Sequence, residues 1–284
     1  MADILKGNEV VTALNKELSE KVVSLKKEGI FPRLAIVRIG DKDSDISYEK
    51  GAIKRCETIG VSVLPVKLEE DITQIELEDN IKKLNQDKSV HGILIFRPLP
   101  KHLDENKICD MLLMDKDVDG VTKGSLAGVF TDSNDGFPPC TAEACVELLK
   151  YYGVNVAGKN VVIVGRSLVV GKPLSMMLLK QNATVTICHS KTKDLPKVCS
   201  KADILIVAVG SANMVNEQYV SAGQVVIDVG INMDQEGNLC GDVSYPNVSK
   251  IVKAITPVPG GVGSVTTSIL AGHTINAAMR QGGM

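Results

Sequence analysis

Short apolar runs alternate with longer segments of helical period along most of this chain, and that alternation constrains the fold more than any other feature. Runs at 34–39, 61–66 and 92–96 read as buried strands, the last stopped by Pro98 and Pro100. Between them, segments at 48–59 and 75–84 follow a helical pattern. Val11, Leu14, Leu18, Val22 and Leu25 mark an earlier helix by their three- and four-residue steps. After Gly158 the pattern restarts with strand 160–164, helix 171–180 and strand 184–188. Strands at 204–207 and 225–229, a last strand ending at Thr256 and a final helix over 266–279 complete it. Strands and helices alternating at these lengths predict an α/β protein with parallel strands covered by helices on both faces. The turn-rich stretch 131–139 (TDSNDGFPP) divides the 284 residues into two lobes. The expected lobes are 1–140 and 141–265, with the last segment, 266–284, packing back on the first.

Charge and composition narrow the function classes. A net charge of −2 supplies no basic field for nucleic acid or an anionic membrane. With no tryptophan, five tyrosines and four phenylalanines, the chain offers no stacking platform for single strands. No apolar run is long enough to cross a bilayer, and the first residues lack a signal-peptide core. The seven cysteines are scattered, without a Cys-x-x-Cys pair or a histidine at ligand spacing. They read as reduced thiols of a cytoplasmic protein, with no metal site.

The strand Val161-Val162-Ile163-Val164 runs into Gly165-Arg166-Ser167-Leu168-Val169-Val170-Gly171-Lys172-Pro173 and then an apolar helix. Strand, glycine turn and helix bring backbone N–H groups and a helix N-terminus to a pyrophosphate, as in Rossmann domains. The spacing departs from G-x-G-x-x-G: Ser167 takes the second glycine position and Gly171 comes one residue late. An NAD site would place a carboxylate near the end of the second strand to hold the ribose hydroxyls. Here Cys188 is followed by His189-Ser190-Lys191-Thr192, with no acid. Arg166, Ser190 and Lys191 suit a ribose phosphate instead, which points to NADP.

Three further segments look chemical: Ser47-Tyr48, Lys116-Asp117-Val118-Asp119-Gly120, and Pro257-Val258-Pro259-Gly260-Gly261-Val262-Gly263. By residue type alone Asp117 and Asp119 read as turn or cap residues. Taken with Pro139-Cys140-Thr141, Gly165-Arg166-Ser167, Val170-Gly171-Lys172-Pro173, Cys188-His189-Ser190 and Thr256, however, these segments resemble the methylenetetrahydrofolate dehydrogenase/cyclohydrolase family over essentially the whole chain. The resemblance implies a folate-binding lobe and an NADP lobe, usually assembled as a homodimer. It implies that Tyr48 stacks on the folate's aminobenzoyl ring and that Asp119 holds the pterin. Pro259, Gly260 and Gly261 would contact substrate, while Gly165, Arg166, Ser167, Ser190 and Ile231 would contact cofactor. The reaction implied is NADP-dependent oxidation of methylenetetrahydrofolate to methenyltetrahydrofolate.

Several positions depart from the family pattern. The lysine that activates water for the cyclohydrolase step, four residues after the tyrosine, is Ala52. The glutamine of the strand-end motif is Phe96, and the leucine after it is Arg97. Ser264-Val265 replaces Pro-Met, and Ala142 replaces a proline. Hydride-transfer residues are therefore present while two hydrolytic partners are absent. Lys50 and Lys54 start about 200° around the helix from position 52 and read as solvated surface charges. Two other readings remain open from the residues. One is a Rossmann dehydrogenase for a hydroxy or amino acid, which needs a general base and finds only His91, His102, His189 and His273. The other is a catalytically silent folate or nucleotide binder.

Overall fold

The computed structural model describes residues 2–133 and 135–284; Asn134, inside the turn-rich break, lies outside them. Its elements begin with β1 (Asp3–Ile4), α1 (Gly7–Lys27), β2 (Arg33–Ile39), α2 (Asp43–Ile59), β3 (Ser62–Leu68), α3 (Gln74–Gln86) and β4 (Gly92–Ile95). There follow α4 (Glu105–Met111), α5 (Lys123–Thr131), α6 (Cys140–Tyr151), β5 (Asn160–Val164), α7 (Gly171–Lys180) and β6 (Thr184–Cys188). The remainder holds α8 (Leu195–Cys199), β7 (Ile204–Val207), β8 (Val225–Asp228), β9 (Asn232–Met233), β10 (Leu239–Cys240), α9 (Tyr245–Val248), β11 (Ala254–Ile255) and α10 (Val262–Gln281). They form two compact units. One holds the chain up to Thr12 with Thr141–Thr266; the other holds Ala13–Cys140 with Thr267–Met284.

The unit containing Ala13–Cys140 is built on three parallel strands in the order β3-β2-β4, with Leu34 opposite Val63 on one side and Gly92 on the other. Leu34, Ala35, Ile36 and Val37 are completely buried, so β2 is covered on both faces. That is why its sequence reads as a continuous apolar run and not as an alternation. Ala35, Val37, Ile93 and Ile95 share a core with Leu77 and Ile81 of α3 and Ile108 of α4. The C-terminal part of α10 packs here, as the sequence implies. Ser268 Oγ donates to Asn15 Oδ1 at 3.0 Å, and Gln281 Nε2 donates to the His91 carbonyl at 3.0 Å.

The other unit carries a six-stranded sheet, β1-β11-β8-β7-β5-β6, in which every pairing is parallel. Val162, Leu205, Val226 and Ile255 form its core with Val215, Val243 and Val248. β9 and β10 form a separate antiparallel hairpin. No helix among the described residues is long and apolar enough to cross a membrane.

Some sequence expectations shift. The first twelve residues, read with the first lobe, group with Thr141–Thr266 because Asp3 and Ile4 pair with Ala254 and Ile255. A two-residue strand is too short to show a period. α2 starts at Asp43, five residues earlier than its apolar pattern, because its first turn is polar and solvated. α10 starts inside the glycine loop at Val262, four residues before the expected 266.

Lys116, the first residue of the Lys-Asp-Val-Asp-Gly segment, is structural. It is buried, and its ammonium donates to the carbonyls of Leu84 at 3.0 Å and Asp87 at 2.7 Å. These carbonyls belong to the C-terminal end of α3, where helices leave acceptors open. Lys116→Ala is therefore expected to lower unfolding free energy in urea by about 1–3 kcal/mol, the scale for stranding buried acceptors. Native-like stability in that variant would show that the ammonium is dispensable to the α3 terminus.

Candidate active site

Candidate cofactor residues stand at the carboxyl ends of parallel strands. β5 runs into Gly165, whose φ of +133° and buried position exclude any side chain, since a Cβ would strike the Ala208 carbonyl. Gly171, opening α7, is packed as closely against the Gly165 backbone. The residue before α7, Val170, supplies no side-chain acceptor to the helix. At this helix end Lys172 N donates to the Ser167 carbonyl at 3.0 Å and Pro173 has no N–H, while the positive end of the α7 dipole favours an anion. Ser167 Oγ accepts from Val170 N at 3.1 Å and holds the loop. Arg166 is exposed, as are Ser190 and Lys191 after β6. A local turn presents the latter two: His189 N donates to Thr192 Oγ1 at 2.9 Å and Lys191 N to His189 Nδ1 at 3.1 Å. The absence of a carboxylate at this strand end fits a phosphorylated dinucleotide.

Ile231 is 65% exposed, just past β8, and lines a cavity of about 190 Å³ with Pro259, Gly260 and Gly261. Two buried carboxylates that sequence reading passed over build this region. Asp228 accepts from Gly230, Asp242 and Val243 N at 2.9–3.0 Å. Burial pushes it up to about 6 despite those backbone hydrogen bonds. Asp242 accepts from Val209, Gly210 and Ser211 N and from Asn232 Nδ2. The only signal in the sequence is an acid ending an apolar run at Asp228.

In the other unit, Tyr48 lies in α2 after the β2 strand end. The residue is 37% exposed, and its ring stands edge-on to Phe96, with centroids 5.7 Å apart and planes at 86°. The two aspartates of the 117–119 segment separate cleanly. Asp117 is wholly buried and accepts from Val121 N at 3.0 Å and Thr122 N at 2.8 Å, so it is the turn-former. Asp119 is half-buried, and loss of water contact pushes its carboxyl up to about 6. The charges of Arg97 and His273 and a hydrogen bond with Cys140 oppose that rise, while Asp117 adds to it. His273 is buried against Phe137, with ring centroids 5.0 Å apart, and its Nδ1 lies 2.8 Å from the Val118 carbonyl. Tyr48 and Asp119 thus share the β4 end through Phe96 and Arg97. The remaining candidate residues belong to the other unit.

The sequence pattern of the tetrahydrofolate dehydrogenase/cyclohydrolase catalytic domain matches residues 5–119, and that of the family's NAD(P)-binding domain matches 139–282. This chain belongs to the tetrahydrofolate dehydrogenase/cyclohydrolase family. The bifunctional protein FolD of Clostridioides difficile is 54% identical over 278 residues, covering 98% of this chain and 97% of that protein. The crystal structure of the bifunctional FolD of Campylobacter jejuni superposes with a TM-score of 0.96 at 41% identity, covering 99% of each chain. The Trypanosoma brucei methylenetetrahydrofolate dehydrogenase-cyclohydrolase, solved with NADP cofactor and an inhibitor, gives 0.93 at 33% identity over 98% of each chain.

Against the family pattern, Ala52 is completely buried on α2, one turn beyond Tyr48, and brings no titratable atom. Lys50 and Lys54 are exposed, as their helical phase requires. Arg55, three residues after Ala52 and seven after Tyr48, falls on their face of the helix and was missed by the sequence reading. It is half-buried, donates to Thr267 Oγ1 at 3.4 Å, and burial lowers its pKa. Arg97 is half-buried, with Nη1 3.8 Å from Glu105 Oε1. Its positive charge holds the Asp119 pKa below the value burial alone would set. Arg97→Leu should consequently move the Asp119 midpoint above 6, so that the carboxylate protonates at higher pH. Carboxyl carbon NMR of the labelled protein reads that midpoint, and an unchanged or lower value contradicts the assignment.

Proposed function

We propose that this protein oxidises methylenetetrahydrofolate to methenyltetrahydrofolate with NADP, in one-carbon metabolism. The observation that carries the reading is the strand–Gly165–α7 loop paired with a β6 end that offers Ser190 and Lys191 and no carboxylate. NADP, when bound, would supply the hydride acceptor for the methylene bridge, and the folate would be left as a cation delocalised over its two nitrogens. Gly165 lets backbone amides approach the pyrophosphate, while Arg166 and Ser190 hold the ribose phosphate. Ser167 shapes the loop, and Ile231 bounds the nicotinamide end. Tyr48 supports the aminobenzoyl ring, Pro259, Gly260 and Gly261 meet the folate, and the Asp119 carboxylate grips the pterin and favours the developing positive charge. Positioning supplies most of the rate, since effective molarity is worth roughly 7–11 kcal/mol. Homodimeric assembly and a cytoplasmic setting complete the reading. The family resemblance supports the first, and the free, mostly buried cysteines support the second.

Cyclohydrolase activity belongs to the family, and we propose that it is weak here. Hydration of the methenyl carbon needs a proton taken from water and handed on, for which general acid–base help is worth roughly 10²–10⁴-fold. Ala52 cannot titrate, and the Phe96 ring that meets Tyr48 cannot hydrogen-bond a lysine or a water. Arg97 and Arg55 remain charged and are poor shuttles.

A steady-state assay with NADP and with NAD, following NADPH and methenyl absorbance together, tests the reading. Methenyltetrahydrofolate should accumulate in step with NADPH, and added enzyme should barely speed its hydrolysis. A cyclohydrolase rate matching the dehydrogenase rate would reject the second proposal. No turnover with either cofactor would favour the silent binder. Arg166→Ala should weaken NADP more than NAD, by about 1.5–3 kcal/mol for a hydrogen bond to a charged group. Equal losses would show that Arg166 does not read the phosphate.

A further inference from the structure

Arg38 on β2 and Glu49 on α2 form an ion pair whose two side chains are almost wholly buried, with Nε donating to Glu49 Oε2 at 2.9 Å. Nη1 of the same guanidinium donates to the Gly40 carbonyl and, at 2.6 Å, to Asp41 Oδ1. One side chain thus ties the penultimate residue of β2, the turn after it and the second turn of α2. The other carboxylate oxygen, Glu49 Oε1, is buried without a hydrogen-bond partner. This is not the form a pair selected for stability takes. Desolvating two charges offsets most of their attraction, and apolar side chains of similar volume hold such contacts as strongly. An unsatisfied buried oxygen deepens the deficit.

What the guanidinium does supply is direction, because its rigid planar donors reach Glu49, Asp41 and the Gly40 carbonyl together in few orientations. Glu49 directly follows Tyr48, so the pair that fixes the rotation of α2 on the sheet also fixes the tyrosine ring. That ring meets Phe96 edge-on at the end of the neighbouring strand, β4. We propose that the buried Arg38–Glu49 pair is a positioning device for Tyr48, holding α2 in the rotation that sets the folate-supporting ring against Phe96. The inference rests on the reading of Tyr48 as the folate platform.

The test compares the native enzyme with the double variant Arg38→Met/Glu49→Leu and with Tyr48→Ala. Thermal midpoint, kcat, and KM for methylenetetrahydrofolate and for NADP are measured on each. The double variant should keep or raise the thermal midpoint and keep the NADP KM. Its kcat/KM for the folate should fall by about 10²-fold, the scale of a misplacement of about 1 Å. A second double variant, Arg38→Gln/Glu49→Gln, retains a neutral hydrogen-bonded link and should recover part of that loss; it carries the test if the apolar pair does not fold. Native folate kinetics in the double variants overturn the proposal, as does a defect confined to the thermal midpoint. If Tyr48→Ala leaves folate kinetics unchanged, the platform reading falls and the positioning role falls with it. If Tyr48→Ala impairs them and the double variants do not, only the positioning role falls.

Discussion

Parallel strand pairing is the constraint on which the rest of this structure depends. Every pairing in the three-stranded and six-stranded sheets is parallel, so each strand must be followed by a crossover before the next can pair. The crossovers cover both faces, and the strand side chains, Leu34 to Val37 or Ile204 to Val207, are consumed by the core. Chemistry is left to the segments that leave the carboxyl ends of the strands. In one unit these are the turn after β2 that leads to Tyr48, and Phe96 and Arg97 after β4. In the other they are Gly165 after β5, Ser190 after β6, Ile231 after β8 and Pro257 onward after β11. Backbone leaving a buried strand must also satisfy its amides, and three carboxylates do this work. Asp117, Asp228 and Asp242 each accept at least two backbone N–H groups, and all are buried.

This division explains which parts were legible in the sequence. The β5–α7–β6 unit was read to the residue, because strand, glycine turn and helix are contiguous and each leaves a local signal. The contribution of β1 was invisible, since two residues carry no period and their partner lies some 250 positions away. α4 and α5 fall in the stretch where turn signals and short helices mix, and were not placed. The hidden partners of the site share that long-range character. Arg38 meets Glu49 across 11 residues, Asp228 meets Val243 across 15, and Cys140 meets His273 across 133. No local pattern announces such pairs; only the sheet order and the return of α10 bring them together.

Asp117 and Asp119 show how burial assigns roles that residue type cannot. Both sit in one short turn, and both read from composition as turn-formers. Asp117 has its two oxygens filled by the amides of Val121 and Thr122, and this is what keeps it structural. Asp119 is instead raised to about 6 by burial, among Arg97, Cys140 and His273. A carboxyl in that condition responds to a cationic or hydrogen-bonding ligand far more than one already locked by backbone.

The departures at 52 and 96 make physical sense as one change. A lysine at 52 would extend from a buried face of α2, and an ammonium there requires a polar partner to be tolerated. With alanine the helix face closes without one, and a polar side chain at 96 would lose its counterpart. Phenylalanine at 96 meets Tyr48 edge-on, a contact worth roughly 0.5–1.5 kcal/mol beyond its buried area. The aromatic pair stiffens the tyrosine while replacing water-ordering groups with apolar surface. On the proposed reading, hydride transfer needs no proton carrier. Attack by water needs a carrier for its proton, and on that reading positions 52 and 96 supply none.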